Sequence, residues 1–197
     1  MASTEQIKLL REQTGAGVLD CKKALDQFGG DLDKAANWLK EKGLVAATKK
    51  SAREAHDGRI EAYSHLGNRM AVLVEVNCET DFVARTPEFK TLTHELALQI
   101  ASSAPEYVRK EDVPTEVLAA KKESYIQEAI SGGKKPEIAE RIATNKLEKF
   151  YADVCLLEQQ FVRDDKIKIS DLIRNTVAAI GENVVVRRFI RYEIGGQ

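Results

Sequence analysis

The sequence predicts an α+β chain: a bundle of three short helices, a linker helix, and then a core of antiparallel sheet packed with helices. Three observations lead there. Apolar residues recur at three- and four-residue steps through the first forty-odd positions, punctuated by Gly15, Gly29-Gly30 and Gly43. Arg59 to Leu66 alternates loosely, Gly67-Asn68 is a turn, and Met70 to Val76 is β-branched and apolar, the pattern of a hairpin. Beyond them, helical and extended segments follow one another without a regular strand–helix–strand rhythm, which favours an antiparallel sheet. The 197 residues, 43% hydrophobic and 31% charged, suffice to bury a core and argue against disorder.

Taken in order, Ser3 and Gln6 form a capping-box pattern ahead of Ile7 and Leu10, with Gly15 after the helix. Val18, Cys21, Leu25 and Phe28 mark the apolar side of a second helix. Asp31 caps a third, with Leu32, Ala35, Ala36 and Leu39 inward, Trp38 nearby and Gly43 following. Residues 1–43 thus read as a small interaction module. Residues 44–58 read as a linker helix, basic along Lys49, Lys50 and Arg53 and ended by Gly58. Residues 59–197 form the α+β core. Its hairpin is followed by a helix over 87–102, bearing Phe89, Leu92, Leu96 and Ile100, and a loop between Pro105 and Pro114. Helices follow over 117–130 and from Pro136, the latter with a break near Asn145. An irregular or extended stretch over 154–162, a polar turn at Asp164-Asp165, a helix over 172–180 and a strand over 183–194 complete the chain.

Function classes narrow quickly. Thirty Lys plus Arg against 31 Asp plus Glu give a net charge of −1, which excludes a strongly basic nucleic-acid binder. No apolar run approaches a membrane span, and no secretory signal is visible after Met1, so a cytoplasmic protein is expected. Cys21, Cys78 and Cys155 lie far apart without a C-x-x-C and are expected to pack as small apolar residues. Neither phosphate-cradling glycine motif occurs. His94-Glu95 begins a zinc-protease pattern, but Leu98 stands where its second histidine belongs. A nucleophilic Cys21 or an acid pair at Asp164-Asp165 has little to support it. No enzyme, catalytic residue, metal or cofactor is expected.

The segment Asn77-Cys78-Glu79-Thr80-Asp81-Phe82-Val83-Ala84-Arg85 stands out. It places a carboxylate beside an aromatic ring at a turn between an apolar strand and a new helix. By itself it admits a plain reading, in which Thr80 or Asp81 caps the turn while Phe82 and Val83 tuck into the core.

Three stretches together go further. Residues 10–25, LREQTGAGVLDCKKAL, residues 75–85, EVNCETDFVAR, and the region from Lys135-Pro136-Glu137 to Gln160-Phe161-Val162 resemble, in the same order, the elongation factor Ts family of translation factors. The resemblance covers essentially the whole chain. It implies a guanine-nucleotide exchange factor for elongation factor Tu, with an N-terminal bundle similar to a ubiquitin-associated domain. Arg11, Val18, Leu19 and Lys50 match positions that dock on the partner, and His65 matches a further contact. Asp81 and Phe82, flanked by Thr80 and Val83, match the segment that intrudes near the partner's magnesium site. A single core subdomain is present rather than two similar ones, which implies a homodimer and a 2:2 complex. The alternative from another class is a non-exchanging module that docks a small protein through its bundle.

Overall fold

The computed structural model describes residues 2–65 and 67–196, with the backbone alone for Leu44 and Ala46. The capping box forms as the sequence requires: Ser3 Oγ accepts from the Gln6 N–H, and the Gln6 side chain accepts from the Ser3 N–H at 3.0 Å. Helix α1 (Thr4–Thr14) then runs to a left-handed C-cap at Gly15. Helix α2 (Val18–Gln27) buries Cys21, Ala24 and Leu25. Helix α3 (Leu32–Lys50) starts at Asp31, whose carboxylate accepts from the Lys34 N–H at 3.0 Å. Leu10, Cys21, Ala24, Leu25, Ala35 and Leu39 close one small core, with Phe28 and Trp38 packed edge-on at its margin. Each fully buried Leu adds roughly 1.5–3 kcal/mol, which a module of this size needs.

Two helix ends differ from the sequence expectation. Gly43 lies inside α3 rather than after it, and residues 44–50 simply prolong that helix. The reason is packing: a Cβ at Gly43 would come within 2.9 Å of the Ala178 Cβ, so the glycine allows a close approach. Gly58 ends no helix either, because α3 stops at Lys50 and Gly58 already belongs to strand β1 (Asp57–Ser64). A Cβ there would meet the Val76 carbonyl oxygen at 2.2 Å. On the apolar side of α2, Val18 turns outward instead of joining Cys21 and Leu25.

The hairpin is as expected. Strand β2 (Met70–Cys78) buries Val72, Val74, Val76 and Cys78 while Leu73 faces solvent, a strict period of two. The turn closes with the His65 N–H on the Met70 carbonyl and Asn68 at a φ of 53°; Leu66, counted in the predicted strand, lies outside the described residues. After the single-turn helix α4 (Asp81–Ala84) comes α5 (Pro87–Ser103), with Phe89, Leu92, Leu96 and Ile100 all buried. Helices α6 (Thr115–Ser131) and α7 (Pro136–Val154) form an antiparallel hairpin with Pro136 in the first turn. The predicted break near Asn145 is absent: α7 runs straight through, since asparagine costs a helix only a few tenths of a kcal/mol to about 0.7.

Strand β3 (Gln160–Phe161) pairs antiparallel with β4 (Asp164–Lys168), so Asp164-Asp165 opens a short strand rather than forming only a turn. Helix α8 (Ile169–Ile180) and strand β5 (Val185–Glu193) follow. The main sheet is antiparallel, in the order β1-β2-β5, and the chain is α+β. The residues group into two compact units. Met1–Ile60, Glu75–Thr93 and Asp171–Val186 form the first, and Glu61–Val74, His94–Ser170 and Arg187–Gln197 the second. Among the described residues no helix is long and apolar enough to cross a membrane.

Candidate functional site

The chain leaves β2 through Glu79 and Thr80 into α4. Thr80 is the N-cap: its backbone is extended and its hydroxyl oxygen accepts from the Val83 N–H at 3.5 Å. One turn of helix then sorts the side chains. Positions 82 and 84 lie about 200° apart on a helix, and Ala84 is the one that is buried. Phe82 therefore points away from the core and is 80% exposed. The plain reading of this motif holds for the Thr80 cap and fails for the ring. Asp81 lies on the same turn, where its Oδ2 accepts from Arg85 Nη2 at 2.8 Å. Thr86 hands the chain on, its hydroxyl donating to the Val83 carbonyl at 2.8 Å and accepting from the Phe89 N–H.

The backbone beneath this turn is held from a distance in sequence. Glu182 Oε2 accepts the N–H groups of Glu79 and Thr80 at 3.1 and 3.0 Å, and Oε1 accepts the Thr80 hydroxyl at 2.7 Å. Glu79 returns the bond, its Oε1 accepting from the Asn183 N–H at 2.7 Å. The buried amide of Asn183 donates to the Arg53 carbonyl at 2.7 Å. The Cys78 thiol donates to the Thr80 carbonyl at 3.1 Å, and burial together with the charge of Glu182 pushes that thiol up to about 11. No periodicity or motif in the sequence points to Glu182 or Asn183; Gly181 ahead of them reads simply as a helix stop.

The docking positions share the first unit with this turn. Val18 and Leu19 open α2 and are 50% and 73% exposed, while Arg11 is exposed in the last turn of α1. Lys50, half-buried at the end of α3, lines a cleft of about 510 Å³. The other walls of that cleft include the loop at 15–17 ahead of Val18, Asn37 and Ala178. Lys50 and the chain entering α2 therefore border one concavity. His65 belongs to the second unit, where its Nδ1 meets the Tyr63 hydroxyl at 2.8 Å. Tyr63 also packs edge-on against His94, whose Nδ1 is 3.2 Å from Glu61. Cys21, Cys78 and Cys155 are all buried free thiols, as expected from their spacing.

The "Elongation factor TS" family model matches residues 26–196. Over 193 residues the chain is 55% identical to an elongation factor Ts of Coprothermobacter proteolyticus and 52% identical to that of Herpetosiphon aurantiacus, covering 98% of both chains in each case. It is 51% identical over 195 residues to the elongation factor Ts of Moorella thermoacetica, covering 99% of this chain and 96% of the relative. With the capped turn, its outward phenylalanine and the helical module all present in sequence order, the chain belongs to the elongation factor Ts family.

Proposed function

We propose that the chain speeds GDP release from elongation factor Tu by docking through its N-terminal bundle and setting Asp81 and Phe82 against the partner's magnesium site. Membership of the family supports, in general terms, a role in protein synthesis as a nucleotide-exchange factor for elongation factor Tu. The observation that carries the finer reading is Phe82, a large apolar ring held in solvent by a capped turn.

The energetics suit that division of labour. A GTPase holds its nucleotide through backbone amides, a lysine and a magnesium ion acting on the phosphates. The factor favours a partner conformation in which those contacts are poor, and by linkage bound nucleotide weakens the factor by the same free energy. A thousandfold faster release needs about 4 kcal/mol of differential stabilisation. Burying one phenylalanine supplies roughly 1.5–3 kcal/mol, so Phe82 acts as a wedge and the docking surface provides the remainder. Asp81 would exchange Arg85 for a partner group, at small cost because an exposed i,i+4 pair is worth about 0.3–0.5 kcal/mol. It would then disfavour the partner's original arrangement around the magnesium ion. Arg11, Val18, Leu19 and Lys50 serve docking, in the module of residues 1–43 and the helical extension beyond it.

A homodimer, giving a 2:2 complex, is part of the same reading. What favours it is the outward sheet face of the second unit, where Leu73 on β2 and Ile190 and Tyr192 on β5 are exposed, with Ile194 just beyond. His65, in that unit, is the position left for a second contact. Light scattering on the free chain tests the stoichiometry: a monomeric mass would remove the 2:2 arrangement.

The central test is stopped-flow release of a fluorescent GDP analogue from elongation factor Tu with excess unlabelled GDP. The chain should raise the release rate steeply and to saturation. Phe82→Ala should lower the saturating rate about 10- to 100-fold while leaving binding within a few-fold. Binding without any acceleration by the native chain would leave only a docking protein.

A further inference from the structure

The three bonds that Glu182 makes all fall on the two residues immediately ahead of Asp81 and Phe82. A helix of four residues has no stability of its own, since nucleation costs more than one turn returns. The direction in which α4 leaves β2 is therefore set by whatever fixes Glu79 and Thr80. In the first unit that is the Cys78 thiol on the Thr80 carbonyl together with one carboxylate, Glu182, with both oxygens engaged, accepting two backbone N–H groups and a hydroxyl. Such charge-assisted bonds are shorter and about twice as strong as neutral ones. The grip is reciprocal, because Glu79 accepts the Asn183 N–H and so holds the residue next to Glu182. Through the Asn183 amide on the Arg53 carbonyl, the same knot takes in the segment that follows Lys50.

We propose that Glu182 is a positioning residue for nucleotide exchange: it orients the Thr80 cap, and through it the direction in which Phe82 meets the partner. This rests on Phe82 being the residue that acts. An anchored ring arrives with its orientation already set, whereas a free turn would have to be ordered in the complex at a cost to the rate. The role differs from docking, because Glu182 acts through the two residues ahead of Asp81, on their backbone N–H groups and the Thr80 hydroxyl.

Glu182→Gln keeps the shape and removes the charge and one acceptor oxygen. The expected result is a saturating exchange rate lowered about tenfold, the loss that weakened charge-assisted bonding predicts. The factor concentration at half-maximal rate should move less than threefold. Amide hydrogen exchange of the native chain supplies a readout that needs no variant: the N–H groups of Glu79 and Thr80 should be protected, and Glu182→Gln should expose those two while the Val72–Val76 amides stay protected. Phe82→Ala run beside them separates the two ideas. A full native rate for Glu182→Gln with an impaired Phe82→Ala overturns the positioning role alone, and native rates for both overturn the wedge itself. Unprotected Glu79 and Thr80 amides in the native chain overturn the positioning role whatever the variants do, including a Glu182→Gln that fails to fold.

Discussion

In the N-terminal bundle, Val18 and Leu19 stand in solvent because α2 has only one face to bury, and Cys21, Ala24 and Leu25 occupy it. At the end of β2, Phe82 stands in solvent because Ala84 takes the buried side of α4, on a turn that follows a polar knot of Thr80, Glu182, Glu79 and Asn183. The bundle presents a surface as a by-product of its apolar core, and the turn presents a single ring through hydrogen bonds. That difference suits the two tasks proposed for them. A docking surface tolerates small adjustments, since affinity comes from summed area, but a wedge has to arrive in one direction.

The bundle core is where the two regions separate most strongly. Leu25→Ala should cost about 2–5 kcal/mol, enough to unfold a module of this size. The concentration needed for half-maximal exchange should then rise at least a hundredfold, with amide protection lost in α1–α3 and kept in β2. Equal loss of protection at the turn would show that the two regions are one cooperative piece. A milder change sharpens the contrast. Leu19→Ala, at an exposed position, should leave the melting temperature within about 2 °C and weaken docking about tenfold, with the saturating rate unchanged. That is the mirror image of Phe82→Ala, and a fall in saturating rate instead would assign α2 to the chemistry of release.

The smallest effect concerns the thiols. Burial raises the Cys21 thiol and pushes Cys78 and Cys155 up to about 11. Unfolded, the same thiols ionise near 9. Their neutral forms thus favour the folded chain fully below about pH 9, and that contribution is lost as pH rises towards 11. A melting temperature that drops by a few degrees across that window checks the sign. Iodoacetamide at pH 8 should modify none of the three until denaturant is added, and rapid labelling of the native chain would contradict the burial.

Much of this architecture is legible in the residues themselves. The hairpin, α5 and the capped start of α1 follow from periodicity, turn residues and a capping box, all of them local signals. The motif around Asp81 and Phe82 is legible as unusual, and its resemblance to a family supplies the role proposed for it. What local pattern could not show is the direction of the ring, since that depends on Ala84 taking the buried side of α4. Likewise Gly43 reads as a stop, and only its fit against Ala178 keeps α3 continuous. Strand β4 has too few β-branched residues in Asp-Asp-Lys-Ile-Lys to announce itself and exists by pairing with β3. Glu182 is 102 residues from the hydroxyl it accepts, beyond any window of sequence pattern.

The unbroken course of α3 makes it a ruler. Its 19 residues span about 28 Å, from the module that carries Leu19 to the segment whose Arg53 carbonyl is held by Asn183. Inserting one residue into it would advance the far end by about 1.5 Å and turn it by about 100°, swinging Lys50 out of phase with the cleft it lines. The exposed side of α3 therefore tolerates substitution better than the helix tolerates a change of length, and an inserted residue is better accommodated in a turn such as Gly67-Asn68.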